Sequence, residues 1–346
     1  MRVHRWLSIL FFSFFTLSAR ANAQQFFRWE EAVGAVHYSQ PPALRAADQP
    51  RNEIPGDEKA TPDLQNASPP LSSSFSHGLL WKIEAPAALH PPPPPSYLFG
   101  TIHSGDQRVM QLPAAVQHAL IASQSFCMEL LPDLATTVTL TKSMLYADGH
   151  TLQDTVGQEL FAQLVSLMQQ RGVPALALTK FKPWAVYMTL SMPQAQTGQF
   201  LDLLLYEQAQ QHGKTVCGIE TAAEQVAVFE HTPLADQLSL LREIVNHPHA
   251  TDLLLQKMIP LYLQRDIGGL YALSTDAADA TAEERQSLEA FLKRLIDERN
   301  QRIAERLLAR FARESTFAAV GALHLPGPTG VLQLLANRGC TVVRVF

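Results

Sequence analysis

Short apolar runs alternate along this chain with longer segments in which apolar residues recur at helical spacing. The apolar runs predict strands at Leu79–Glu84, Tyr97–Gly100, Ser125–Met128, Thr215–Gly218, Phe317–Val320 and Cys340–Phe346. The periodic segments predict helices at Pro113–Ser123, Thr151–Arg171, Phe200–Gln211, Ala222–Glu230, Ala282–Arg313 and Gly330–Asn337. Helices that alternate with short buried strands indicate an α/β fold, with a central mixed sheet covered by helices.

Two of the predicted strands end in the same short pattern, a glycine followed three residues later by a histidine. Gly100 precedes His103, and Gly321 precedes His324. A glycine at a strand end lets the backbone turn sharply or approach a ligand closely. Because α/β proteins place their chemistry just beyond the carboxyl ends of strands, the repeated pattern predicts that both histidines belong to one site.

Two further strand ends are followed by carboxylates, Glu129 and Glu220. Two imidazoles and two carboxylates suit a divalent transition metal such as zinc, manganese or cobalt. They also suit metal-free acid–base chemistry, in which a histidine is the base and a glutamate orients it. Each residue has an ordinary structural interpretation as well: a loop histidine often makes only surface hydrogen bonds, and Glu220 would support the turn at Thr221.

The long predicted helix has an apolar stripe that includes Leu292, Leu295 and Ile303, and Arg299 interrupts this stripe. Position 299 falls on the buried face, and a buried guanidinium needs a carboxylate or an anionic ligand. The alternative is that the aliphatic part of the Arg299 side chain lies on the core while its guanidinium reaches solvent. Asn300 is interpreted as an ordinary polar surface residue.

The composition is that of a globular protein and argues against nucleic acid as a partner. Of the 346 residues, 47% are hydrophobic and 17% are charged, which is ample core for one large domain or two small ones. The net charge is −5, and no basic stripe runs along the sequence. We therefore expect no nucleic-acid partner.

The three cysteines, Cys127, Cys217 and Cys340, match no zinc-binding spacing. Each lies in or beside an apolar run, which favours the interpretation that the cysteines serve as small buried hydrophobic residues. In an exported protein, an odd count leaves at least one thiol free or paired between chains.

The N-terminus has the features of an export signal. Arg2 and Arg5 precede the apolar run Trp6–Leu17, and Ala21 and Ala23 fit the small residues of a cleavage site. Residues 1–23 are therefore predicted to be a signal peptide cut after Ala23, with an uncleaved anchor as the alternative. No later stretch is long and apolar enough for a transmembrane helix, so the mature protein is predicted to be periplasmic or secreted.

The remaining chain divides by composition. Residues 24–42 resemble a short β module found after signal peptides in bacterial envelope proteins. Residues 43–77 are rich in proline and polar residues and are predicted to be a disordered linker. The folded domain is predicted to span 78–346, with Pro91–Pro95 in a stiff exposed hairpin loop.

A set of motifs across the predicted domain resembles the TraB/GumN family. These are Leu80–Ile83, Ser96–His103, Glu129, Lys182–Trp184, Leu201–Asp202, Gly213–Lys214, Gly218–Thr221, Glu224–Gln225, Arg299–Asn300 and Val320–Gly327. They occur in the family's order and cover about Gly78 to Phe346. The family is similar to the Tiki proteins, which are metal-dependent proteases, and is related in fold to the erythromycin esterases.

The resemblance implies an α/β fold with two related halves, each with one strand–G-x-x-H motif. It implies active residues at His103, His324, Glu129, Glu220 and Arg299, and a divalent metal: manganese or cobalt as in the Tiki-like members, or zinc. His103, His324 and Glu129 are the expected metal ligands. Glu129, Glu220 and Arg299 are the expected catalytic residues, with a glutamate as base and the arginine at the oxyanion.

Three hypotheses follow from the sequence. The first is an exported metal-dependent hydrolase, most simply a peptidase. The second is a metal-free hydrolase with a histidine base, and the third is a non-catalytic envelope protein that binds a ligand at this site. The expected substrate is a peptide or a small ester or amide; the sequence predicts no oligomeric state.

Overall fold

The computed structural model describes residues 75–86, 93–192, 200–277 and 281–346, together with two short strands, Phe27–Glu30 (β1) and Val36–Ser39 (β2). These two strands pair antiparallel, with Phe27 opposite Ser39. The predicted signal peptide, most of the predicted linker and the first prolines of the predicted hairpin loop lie outside the described residues. Within the described part of the chain, no helix has the length and apolar character needed to cross a membrane.

A six-stranded mixed sheet forms the centre of the larger unit, as predicted. Its strands are β3 (Leu80–Glu84), β4 (Ser96–Thr101), β5 (Ser125–Met128), β6 (Thr215–Gly218), β7 (Thr316–Gly321) and β8 (Thr341–Arg344). The spatial order is β6-β5-β7-β4-β3-β8. The first four strands in this order run parallel, whereas β3 is antiparallel to both of its neighbours.

Helices make up most of the remaining described chain. The α-helices are α1 (Gln107–Met110), α2 (Ala114–Ala122), α3 (Leu134–Ser143), α4 (Leu152–Val156), α5 (Gln158–Gln170), α6 (Ala175–Leu178), α7 (Pro183–Ser191), α8 (Leu201–Gln211), α9 (Ala222–Glu230), α10 (Leu234–Asn246), α11 (Ala250–Leu263), α12 (Ile267–Thr275), α13 (Ala282–Leu292), α14 (Glu298–Phe311) and α15 (Val331–Asn337). A π-helical segment, Lys293–Asp297, joins α13 to α14, and a 3-10 turn covers Ala322–His324.

The apolar residues form two packing clusters. The sheet cluster packs the strands against helices that include α2, α8, α11, α12, α14 and α15. The helical cluster is built from α4, α5, α7, α9, α10 and neighbouring helices, and it includes Phe291 of α13. Leu323 lies at the edge of both clusters. The His324 loop is thus positioned where the two clusters meet.

Parallel pairing of β4 with β7 brings the two G-x-x-H patterns together. Gly100 lies opposite Val320, and Thr101 lies opposite Gly321. A β-carbon at Gly100 would lie only 2.7 Å from Leu325 Cδ1 and 3.2 Å from the Ala322 backbone. Glycine is therefore required here because the loop that carries His324 packs directly against the end of β4.

Two helix predictions differ from the structure in an informative way. The segment Thr151–Arg171 is not one helix, because Gly157 has φ +83° and separates α4 from α5. The long helix predicted at 282–313 is helical as expected, but it contains the π-helical segment, which the apolar spacing did not reveal.

Two of the three cysteines differ from the interpretation as small buried hydrophobic residues, which Cys340 fits. Cys127 on β5 lies directly opposite Cys217 on β6, and the two form a disulfide that links positions 90 residues apart. Cys340 is a free, buried thiol. Sequence spacing could not show this pair, because the pairing depends on which strands become neighbours.

Candidate active site

The ends of β5 and β6 hold two buried glutamates side by side. Backbone pairing continues past the strands: the Ile219 amide donates to the Met128 carbonyl, and the Glu220 amide donates to the Glu129 carbonyl, both at 2.8 Å. Both glutamate side chains are buried. Two carboxylates held this closely repel each other unless a cation or protons neutralise them.

Arg299 supplies that cation. Its Nε donates to both oxygens of Glu220, at 3.1 and 3.0 Å, and its Nη2 donates to Glu220 Oε2 at 2.6 Å and also to Glu129 Oε2. Arg299 is 1% exposed, so the alternative interpretation, in which its guanidinium reaches solvent, is wrong. Burial opposes the charged guanidinium, but the charges of Glu220 and Glu129 outweigh this effect and raise the pKa of Arg299.

Glu220 is almost fully engaged in holding this cluster. Besides Arg299, it accepts from Arg302 Nη2 at 3.3 Å and from Gln225 Nε2 at 3.1 Å. It does not cap the following helix; the capping box of α9 is formed by Thr221 and Glu224. Glu220 thus anchors Arg299, which in turn fixes one oxygen of Glu129.

The other oxygen of Glu129 faces β7. Glu129 Oε1 accepts from the backbone amide of Gly321 at 2.7 Å and lies 3.8 Å from Nε2 of His324. The second G-x-x-H pattern therefore contributes both a backbone donor and an imidazole to Glu129.

Asn300 fixes the tautomer of His324. The Asn300 side-chain Nδ2 donates to the Thr329 carbonyl at 2.9 Å, which leaves its Oδ1 facing His324 Nδ1 at 2.6 Å. An oxygen acceptor at Nδ1 requires the proton on that nitrogen, so Nε2 carries the lone pair toward Glu129. Burial lowers the pKa of His324 to about 4, with the Arg299 charge acting in the same direction and the Glu129 charge opposing it.

The interpretation of Asn300 as a surface residue is wrong, since its side chain is fully buried. The periodicity predicted one inward position in this turn, whereas Arg299 and Asn300 both point inward. They lie in the first turn of α14, one residue after the π-helical segment Lys293–Asp297, whose wider turn shifts the helical register. Only the resemblance, which included Arg299–Asn300 as a pair, carried a signal for this residue.

His103, at the end of β4, belongs to a second polar pair. Its Nε2 lies 3.6 Å from Oδ2 of Asp202 in the first turn of α8, and Asp202 Oδ1 accepts from the Thr101 hydroxyl at 2.7 Å. Both His103 and Asp202 are buried. Tyr262 lies near this pair and donates to the Gly100 carbonyl at 2.8 Å. Sequence reasoning assigned no role to Asp202, whose position depends on the packing of α8 against the sheet.

The predicted site residues therefore occupy the carboxyl ends of neighbouring strands. Arg299, which lies on α14, contacts both glutamates, Glu129 lies beside His324, and His103 follows the adjacent strand. In the described part of the chain, no three histidine, cysteine or acidic side chains converge on one metal position. By donor chemistry, the lone pair of His324 Nε2 and the second lone pair of Glu129 Oε1 do suit a divalent ion.

Comparisons with known proteins agree with the resemblance seen in the sequence. The model of the TraB/PrgY/gumN family matches residues 79–344. The chain is similar to Metalloprotease TIKI2 of Danio rerio, with 27% identity over 324 residues, 79% of this chain and 62% of that protein. It is also similar to Metalloprotease TIKI1 of Homo sapiens, with 27% identity over 340 residues, 82% of this chain and 65% of that protein. The chain thus spans less than two thirds of these relatives, and no solved structure matches it.

Proposed function

Because this chain belongs to the TraB/PrgY/gumN family, we propose that it is a hydrolase that cleaves peptide bonds, most simply with a divalent metal. The similar proteins are named metalloproteases, which supports this reaction class. The observation that carries the proposal is the buried His324, which Asn300 holds with its lone pair directed at Glu129.

The roles follow from the contacts. Glu220 and Arg299 form the support that holds Glu129 in one orientation. Glu129 and the neutral His324 are then the groups able to take a proton from a water molecule between them. Asp202 orients His103 at the neighbouring strand end. The donors of Arg299 are directed at the two glutamates, which favours a positioning role over direct contact with an oxyanion.

In this proposal His324 Nε2 and Glu129 Oε1 would hold a divalent ion, although His103 and these two groups do not converge on one position among the described residues. When bound, manganese, cobalt or zinc would supply a Lewis acid and an acidified water. The orientation of His324 by a hydrogen bond at its other nitrogen is the arrangement usual for histidine ligands. Glu129 keeps its bond to Gly321 because each carboxylate oxygen has two acceptor sites.

Metal-free hydrolysis is the second candidate. It is favoured by the hydrogen bonds that both oxygens of Glu129 already make, and by the absence of three converging ligands in the described residues. In that case His324 would activate water directly, with Glu129 stabilising the resulting imidazolium.

Export to an oxidising compartment, periplasmic or extracellular, is part of the proposal. The Cys127–Cys217 disulfide supports it, because such bonds persist mainly outside the cytosol. The N-terminal segment that would direct export remains a prediction from the sequence.

The test combines metal analysis with peptide cleavage. Three proteins would be purified and supplied with manganese, cobalt or zinc. The first is the full chain, the second is a His103→Ala, His324→Ala double variant, and the third is a control, His150→Ala, which removes an exposed histidine. We expect near-stoichiometric metal and cleavage of a peptide library for the first and third proteins only. Cleavage that survives complete chelation would transfer the assignment to the metal-free reaction, and no cleavage under either condition would refute the hydrolase.

A further inference from the structure

A cleft of about 970 Å³ begins at the residue that follows His103 in the chain. One wall begins with Ser104, the next residue along the chain, and continues through the loop to Arg108. Another wall comes from α5 and the end of α7 in the helical cluster, and a further wall comes from α11 in the sheet cluster. A cleft of this size, between two packing clusters and next to a candidate catalytic histidine, has the position expected of a substrate-binding site.

Arg171 presents a fixed positive charge to this cleft. It lies at the C-terminal end of α5, and its side chain is partly buried. Its guanidinium donates to the backbone carbonyl oxygens of Leu190, at 3.0 Å, and Met192. These two bonds hold the plane of the group in one orientation, but neutral carbonyls leave its charge uncompensated.

No carboxylate of the described residues lies within 4.0 Å of the Arg171 guanidinium. Asp252, which also lines the cleft, is near enough for its charge to favour the protonated form, but the two make no ion pair. Burial exceeds that effect and lowers the pKa of Arg171. Because the Arg171 guanidinium is partly buried and makes no ion pair within the described residues, an anion that enters the cleft would stabilise its charged form.

Arg108, which also lines this cleft, is already paired with a carboxylate. Its Nε and Nη2 donate to the two oxygens of Asp106, at 3.0 and 2.8 Å. The cleft therefore contains one arginine that is paired within the chain and one that is not. This difference provides a matched control for the role of Arg171.

We propose that Arg171 is a specificity-determining residue that binds a carboxylate of the peptide substrate. The inference rests on the proposed function and narrows its substrate class to peptides that carry an anionic group near the scissile bond. That group is either an acidic side chain or the C-terminal carboxylate, since a planar guanidinium binds both in the same way.

The test measures binding and cleavage separately, with three pools of randomised octapeptides. The first has one fixed glutamate and an amidated C-terminus, the second has glutamine at that position and an amidated C-terminus, and the third has the glutamine with a free C-terminus. Retention of each pool on the immobilised full chain would be compared with that on Arg171→Gln, Arg171→Lys and Arg108→Gln variants. Cleavage of the same pools would be followed in solution by mass spectrometry.

For the unmodified chain we expect the first or third pool to be retained on the order of tenfold better than the second, a difference that identifies the source of the carboxylate. Arg171→Gln should abolish the preference and Arg171→Lys should keep part of it. Arg108→Gln leaves the Asp106 carboxylate unpaired in the cleft, so it should weaken the preference without abolishing it. Because the preference is a ratio, a modest loss of stability in a variant does not alter it.

Equal retention of all pools, or a preference that survives Arg171→Gln, would overturn the inference. Cleavage without any carboxylate preference would also overturn the inference about Arg171, but it would support the proposed hydrolase. Retention that depends on Arg171, without cleavage under any metal condition, would instead support the carboxylate site and refute the hydrolase.

Discussion

The guanidinium Nε of Arg299 lies 3.1 and 3.0 Å from the two carboxylate oxygens of Glu220, and both side chains are buried. Since Arg299 also donates to Glu129, one buried guanidinium bridges the two carboxylates of the candidate site. Removing the charge of Arg299, Glu220 or Glu129 alone would therefore leave the remaining buried charges unbalanced.

Replacing Arg299 with methionine should destabilise the protein by about 3–5 kcal/mol, because two buried carboxylates lose their cation. The matched control is Arg302→Gln, which removes a partly exposed arginine that also contacts Glu220 and should cost less than about 1 kcal/mol. Urea unfolding at pH 7 measures both. Equal free energies of unfolding for the two variants would contradict the assigned role of Arg299.

Replacing Asn300 with leucine should reduce hydrolysis by about 10- to 100-fold, because His324 loses the acceptor that keeps the proton on Nδ1. The nitrogen chemical shifts of the His324 ring, measured by NMR, should show the change of tautomer directly. Gln301→Ala, at the next and exposed position, should alter neither quantity. An unchanged tautomer in the Asn300 variant would show that another group orients the ring.

Removing the Cys127–Cys217 disulfide should lower the free energy of unfolding by about 2–5 kcal/mol. A Cys127→Ser, Cys217→Ser variant should melt at the same temperature with and without reductant, whereas the unmodified chain and Cys340→Ala should melt lower when reduced. Alkylation of the unfolded, unreduced chain should modify one thiol, Cys340. Modification of three thiols would show that the bond does not form.

Stability should decrease as the pH falls from about 6.5 to about 4. Burial lowers the pKa of folded His324 to about 4, whereas the unfolded histidine has its ordinary value of 6.5. Between these values the unfolded chain binds the extra proton, so acid favours unfolding, by a total on the order of 3 kcal/mol. Urea unfolding from pH 7 to pH 4 should show this slope, and His324→Gln should reduce it. An identical slope in the variant would assign the effect to other groups.

Local patterns were sufficient to predict much of the fold and the positions of several site residues. Ser125–Met128 and Thr215–Gly218 are short runs with clear boundaries in the sequence, and the structure has them as strands with the same ends, the first fully buried and the second at the edge of the sheet. Arg299 was marked as unusual because a charge on an apolar helical face is detectable from spacing alone.

Features that depend on contacts between distant segments could not be predicted in this way. Asp202 and Asn300 are ordinary polar residues in the sequence, and they gain their roles only when α8 and the π-helical segment place them beside His103 and His324. The Cys127–Cys217 pair likewise requires that β5 and β6 be neighbours in exact register.

The π-helical segment Lys293–Asp297 makes the site unequally sensitive to a shorter and a longer chain. A π-helical turn takes one residue more than an α-helical turn, so deleting one residue here would let the segment wind as an α-helix while α13 and α14 keep nearly the same relative rotation. An inserted residue would instead turn α13 against α14 by about 100°. Either Arg299 and Asn300 would then leave the candidate active site, or Leu288 and Phe291 would leave their buried positions. Inserting one residue in this segment is therefore expected to be more damaging than deleting one.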